Sequence, residues 1–203
     1  MKSTLLLPLL FAVSLPAAAA GLTIDLAIPQ LDVAEYHRPY VAVWIEREDS
    51  SVAANLAVWY QQERGKPRPP VERKPRGAGA PPPGDGKGGP GNGPGGGGGE
   101  SGTKWLPDLR QWWRRSGRSL TLPVDGVTGA TRPVGTHTLA FDAASAPLNA
   151  LAPGNYRIVV EAAREVGGRE LLKLPFAWPP TVAANSSAQG KSELGRITLE
   201  LTP

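Results

Sequence analysis

The chain has 203 residues, no cysteine and two histidines. That excludes disulfides, thiolate metal sites, iron–sulfur clusters and a cysteine nucleophile, and leaves little for a His-rich metal or haem site. The formal charge is +4, but Lys2 and the segment 65–102, with six basic and three acidic residues, account for all of it; the remaining body has 15 of each sign and no net charge with which to hold nucleic acid.

The first 20 residues read as a signal peptide. Lys2 gives a positive start, Leu5 to Leu15 an apolar stretch broken only by Pro8 and Ser14, and Ala18 to Ala20 a cleavage site, so the mature chain is expected to begin at Gly21. The apolar run is too short to span a bilayer, and no other stretch reaches spanning length. An exported chain without cysteine suits an oxidising compartment such as a periplasm.

The mature chain reads mostly as strands. Leu22, Ile24, Leu26 and Ile28 alternate with Thr23, Asp25 and Ala27, the pattern of a half-buried strand. Tyr40 to Ile45 and Val52 to Tyr60 are two more, with the charged group Glu46 to Asp49 as the hairpin turn between them. Of the 38 residues from Gly65 to Gly102, 15 are Gly and 9 are Pro. Such a segment buries too little apolar surface to offset its ordering entropy, so it is expected to be a disordered insertion in one domain covering 21–203.

Trp105 to Arg115 reads as a Trp-rich helix, with Trp105, Leu109, Trp112 and Trp113 on one side and Arg110, Arg114 and Arg115 more to the other. Thr103 is its expected N-cap, Pro107 falls in its first turn and Gly117 is its expected C′ residue. Leu120 to Val124 is extended. Thr136 to Phe141 and Tyr156 to Ala162 are strands. The Gly167–Gly168 turn leads into Glu170 to Phe176, and Leu194 to Leu201 closes the chain with Leu194, Ile197, Leu199 and Leu201 buried. Seven or eight strands with Gly/Pro turns predict an immunoglobulin-like antiparallel β-sandwich.

The most informative segment is Asp125-Gly126-Val127-Thr128-Gly129-Ala130-Thr131. Its glycines allow tight turns and close backbone approach, and its small side chains leave the last hydroxyl reachable. Arg132 can offset a phosphate charge, and Pro133 biases Arg132 toward extended backbone. The same residues also suit a plain surface turn, where Asp, Gly and Thr are common.

This heptapeptide resembles the acceptor signature for covalent flavinylation. The resemblance implies that a secreted flavin transferase takes FMN from FAD and joins its phosphate to the hydroxyl of Thr131. Asp125 and Thr128 would then be recognition residues, with Gly129 and Ala130 keeping the approach clear. More widely, Glu35 to Trp44, Asn55 to Trp59, Lys104 to Arg115, Gly154 to Arg157 and Glu161 to Glu165 resemble the predicted periplasmic proteins of domain-of-unknown-function family 2271. Such proteins are similar to partners of the flavin transferase and of PepSY-type membrane reductases. Segment 65–102 departs from that pattern, where a short polar connection is expected.

With FMN attached, the protein is expected to act as an electron carrier or accessory subunit rather than a stand-alone enzyme. Trp112 and Trp113, with Trp105, are candidates to pack near the flavin ring, although at least two of the three read more readily as a cap on the core. Two other classes remain open: a non-catalytic adaptor, and a binding protein for a small solute or metal complex, which needs a deep pre-formed pocket. His37 with Glu35, and His137 on its strand, would form a metal site only if the fold brought them together.

Overall fold

The computed structural model describes residues 20–62 and 102–203. The expected signal peptide and nearly all of the expected 65–102 insertion lie outside the described residues. The insertion's last residue, Gly102, is described and buried.

The fold is mostly β and built on two sheets. Nine strands are β1 (Gly21–Ile28), β2 (Tyr40–Arg47), β3 (Val52–Tyr60), β4 (Thr128–Ala130), β5 (Gly135–Asp142), β6 (Gly154–Ala163), β7 (Arg169–Trp178), β8 (Ala184–Gln189) and β9 (Arg196–Thr202). One sheet has the order β5-β1-β9-β8 and the other β4-β3-β2-β6-β7. Every pairing is antiparallel except β3 with β4, which is parallel. The expectation of a wholly antiparallel arrangement is corrected at that edge.

Side chains of both sheets meet in one core. Leu22, Ile24, Leu26 and Ile28 of β1 join Ile197, Leu199 and Leu201 of β9 from one sheet, and Val41, Val43, Ile45, Ile158 and Val160 from the other. The alternation of β1 follows directly, since its other face is only partly covered. β2 does not alternate, because both of its faces are buried. Its even-numbered residues Ala42 and Trp44 face a second cluster with Val58, Tyr60, Leu106, Leu109, Trp112 and Val159. That cluster is the underside of a helical layer laid over the outer face of the five-stranded sheet.

The helical layer differs from the single helix expected over Trp105 to Arg115. Residues Gly102–Asp108 form a 3-10 helix containing Pro107, α1 covers only Arg110–Arg115, and Gly117–Ser119 forms another 3-10 turn. Thr103 is therefore not the cap of α1. Leu109 precedes α1 and gives no side-chain cap; the cap comes from the sheet instead. Glu161 of β6, wholly buried, accepts from the backbone N–H of Gln111 (3.0 and 3.1 Å to its two oxygens) and of Trp112 (2.8 Å), satisfying donors that a helix start leaves free. Arg169 Nε donates to the same carboxylate at 2.5 Å.

Gly117 is required for a reason other than a C′ conformation. A Cβ there would lie 2.5 Å from Cζ3 of Trp112, so only glycine lets the chain pass over that ring. Glu46, expected in a charged turn, is instead the penultimate residue of β2 and fully buried, with Arg115 at 2.7 Å and Lys173 at 2.7 Å. Two buried carboxylates thus stand under the helical layer, each held by cations from a neighbouring element. β8, Ala184–Gln189, is a strand not foreseen, polar and paired only with β9.

Candidate functional site

The heptapeptide is half turn and half strand. Asp125 to Val127 form a turn, and β4 follows as Thr128–Ala130. Gly126 has φ +72°, a left-handed conformation that glycine adopts without the clash of a Cβ. Thr128 fixes the turn by donating its hydroxyl to the Val124 carbonyl at 2.9 Å, and its backbone N–H reaches the same oxygen at 2.9 Å. β4 then lies beside β3 with Thr128, Gly129 and Ala130 opposite Val58, Trp59 and Tyr60.

Gly129 faces the Trp59 ring. A Cβ there would sit 3.3 Å from Trp59 Cδ1, tighter than ordinary contact, so this glycine serves close approach within a strand rather than a turn. Thr131 comes next. Its N–H donates to the Tyr60 carbonyl at 3.2 Å, which continues the β3–β4 ladder by one step. Its side chain is half-buried, and its hydroxyl takes part in none of the hydrogen bonds among the described residues. Residues 131–134 then carry the chain from the five-stranded sheet to β5, the edge of the four-stranded one.

Around that crossing the structure assembles three side chains. The Arg132 guanidinium lies 5.3 Å from the Trp59 ring centroid, within cation–π range. The His137 ring meets Trp59 edge-on at 5.7 Å. His137 Nε2 donates to the Pro133 carbonyl at 2.8 Å, tying the crossing segment to β5. A cleft of about 340 Å³ opens between the two sheet edges here, walled by Leu56, Trp59, Gly129, Arg132, Leu139 and Phe141 among others. Thr131 stands beside this cleft, next in chain to Arg132 on its wall. Asp125 and Ala130 are exposed.

The two tryptophans expected near a flavin fall elsewhere. Trp112 is wholly buried in the cluster beneath the helical layer, and its Nε1 donates to Asn55 Oδ1 at 2.8 Å. It has no face to offer a ligand. Trp113 is half-buried against the same cluster, and with Pro107, Arg110 and Arg114 it lines a separate hollow. Trp59 is the aromatic residue at the crossing. As one of two aromatic residues, with Tyr60, in an apolar strand it reads as core; its placement depends on β4, whose parallel pairing three residues long leaves no periodic signal.

The two histidines have different neighbours. His37 Nε2 lies 3.2 Å from Glu35 and its Nδ1 4.0 Å from Glu165, whereas His137 packs on Trp59. Among the described residues no group of three or more His, Cys, Asp or Glu side chains is placed to hold a metal ion. No helix among them is long and apolar enough to cross a membrane.

Residues 21–196 match the family described as predicted periplasmic protein, DUF2271. The chain belongs to that family. The matched region and β1 both begin at Gly21, the residue expected to open the mature chain. No curated protein and no solved structure matches this DUF2271 chain.

Proposed function

We propose that this DUF2271 protein is a periplasmic flavin carrier, with FMN joined through its phosphate to Thr131 Oγ1 by a separate flavin transferase. In that reaction the Thr131 oxygen attacks the FMN phosphorus of FAD. The phosphoester forms, the pyrophosphate bond breaks, and AMP leaves while the hydroxyl proton passes to solvent or to the transferase. The observation that carries the reading is the Thr131 hydroxyl itself: half-exposed, without a hydrogen-bond partner among the described residues, and held at the crossing between two sheets. The neighbouring Arg132 is exposed and lies over Trp59, so its guanidinium can accompany a phosphate on the adjacent residue.

The bound flavin would supply one- and two-electron transfer. The chain's residues would tether and orient it. Thr128 and Gly126 shape the turn that a transferase would read, and Gly129 holds the strand against Trp59. The cleft between the sheet edges offers apolar wall to a planar ring through Leu139 and Phe141. A PepSY-type membrane reductase is a fitting electron partner, and the two sheets serve as an immunoglobulin-like scaffold that keeps the crossing fixed. A solute-binding protein would need a deep pocket; hollows among the described residues, such as one of about 570 Å³ lined by Trp105, Arg110 and Arg169, open at the surface.

The test is the intact mass of the exported protein from a host that co-expresses a flavin transferase, beside Thr131→Ala. The expected result is an adduct of FMN less one water on the wild type and none on the variant. An unmodified wild type, from a host that does flavinylate a known acceptor, would remove the carrier reading and leave the adaptor reading in its place.

A further inference from the structure

Away from the crossing, the helical layer presents an unusual outer surface. Its 18 residues from Gly102 to Ser119 hold five basic side chains and one acidic one, Asp108, in a body whose basic and acidic residues balance only when this layer is counted. Four of the five are arginine. Arg115 is committed inward, to buried Glu46 and the Ser50 carbonyl. Arg110, Arg114 and Arg118 are exposed, and none lies within ion-pair distance of a carboxylate among the described residues. Aromatic surfaces accompany Arg110 and Arg114: Trp105, 41% exposed, lines one hollow with Asp108 and Arg110, and half-buried Trp113 lines another with Pro107, Arg110 and Arg114.

We infer that this ridge is a docking surface for an acidic face of another protein. Tryptophan and arginine are the side chains most enriched where binding energy concentrates at protein interfaces. Guanidinium groups match carboxylates in paired hydrogen bonds, a fit that a point charge such as lysine does not provide. The ridge is also rigidly mounted. Glu161 holds the start of α1, Arg115 and Glu46 hold its end, and Asn55 receives the Trp112 indole while donating to Ser116 Oγ. A surface already ordered loses little freedom on binding. Apart from Arg115 the exposed basic side chains number four, Lys104 included, the lower bound of the clusters that hold proteins on anionic lipid, but they are interspersed with Asp108 and with the Trp105 and Trp113 indoles, which favours a protein partner over a membrane. The apolar layer beneath the ridge continues through Leu120, Leu122 and Val127 to the edge of β4, so a partner seated there would adjoin the crossing that carries Thr131.

The inference stands whether or not Thr131 is modified, and its test uses the mature chain in both forms. Poly-L-glutamate at low ionic strength is titrated against labelled protein, with the indole N–H resonances of Trp105, Trp113 and buried Trp112 followed by NMR. The expected result is that Trp105 and Trp113 shift while Trp112 does not, that added salt weakens binding, and that Arg110→Glu, Arg114→Glu and Arg118→Glu combined weaken it at least tenfold without moving the unfolding midpoint. Vesicles containing phosphatidylglycerol are the second probe. Shifts confined to other surfaces, no binding, or a triple variant that binds like the wild type would overturn the inference. Tighter binding to the vesicles than to the polypeptide would overturn it too, by assigning the ridge to a lipid surface.

Discussion

Replacing Glu161 by Gln should uncouple α1 from the sheet. The carboxylate is wholly buried and accepts from Gln111 N, Trp112 N and Arg169 Nε. A glutamine amide has one acceptor oxygen and an NH2 group. Whichever way it turns, the NH2 must face either the N–H groups of α1 or the guanidinium, a donor set against a donor. Hydrogen bonds to a charged group contribute roughly 1.5–3 kcal/mol each, and breaking a buried pair costs about 3–5 kcal/mol. Arg169 is itself 35% exposed and can turn to water, which trims its share. The two bonds to α1 therefore dominate, and the expected loss is about 2–4 kcal/mol, a large fraction of the roughly 5–15 kcal/mol that holds an ordinary domain together. Urea unfolding followed by tryptophan fluorescence measures it. Hydrogen exchange at the Trp112 indole, beneath the loosened layer, should quicken in parallel. A loss under about 0.5 kcal/mol would refute the argument that this carboxylate is the cap of α1.

Gly117→Ala places a methyl 2.5 Å from Trp112 Cζ3 and should cost about 1–3 kcal/mol by overpacking, read from the same unfolding curves. Gly126→Ala meets no atom within 4 Å but must hold φ +72°, so it should cost about 1–2 kcal/mol from backbone alone; Gly126→Asn should cost distinctly less, and equal losses would show that steric contact governs that turn. Burial acts to raise the Glu170 carboxyl, but the amides of Lys191, Leu194 and Ser192 and the Ser192 hydroxyl outweigh it and hold the group below the ordinary carboxylate range. Its folded value being the lower one, Glu170 contributes stability above its unfolded pKa of about 4.3, and that contribution is lost as pH falls through the folded value. Unfolding free energies at pH 6 and pH 3 should therefore differ less in Glu170→Gln than in the wild type.

What the sequence made legible follows from where each element meets water. β1 has one fully buried face, so Leu22 to Ile28 alternates and reads at once; Leu194, Ile197, Leu199 and Leu201 read for the same reason. β2 and β6 are covered on both sides, which makes them plain apolar runs and hides the fact that Glu46 and Glu161 point into the protein. A charge at the end of a strand ordinarily marks a turn, and only the arrival of Arg115, Lys173 and Arg169 from other elements makes burial tolerable. β8, with Asn185, Ser186 and Ser187, contributes backbone pairing and little else, so no hydrophobic pattern announces it. α1 looked longer because Trp105, Leu109 and Trp112 keep helical spacing through a 3-10 segment that Pro107 interrupts. At the candidate site the heptapeptide located the turn and the hydroxyl. Trp59 and its contacts with Arg132 and His137 were hidden, because they depend on which strand β4 chooses as its neighbour.

The two ends of the Gly/Pro-rich connection meet. Gly102 is buried so closely against the Gln61 carbonyl that a side chain at 102 would overlap it, and Tyr40 flanks the same point. A chain leaving at Gln62 therefore has to return to nearly the place it left. The entropy of closing such a connection grows only with the logarithm of its length, about 0.6 kcal/mol for each doubling. If the connection closes as a flexible loop does, halving or doubling it should alter the stability of the two sheets and the helical layer by only about that amount, so its length could change with little consequence for the fold.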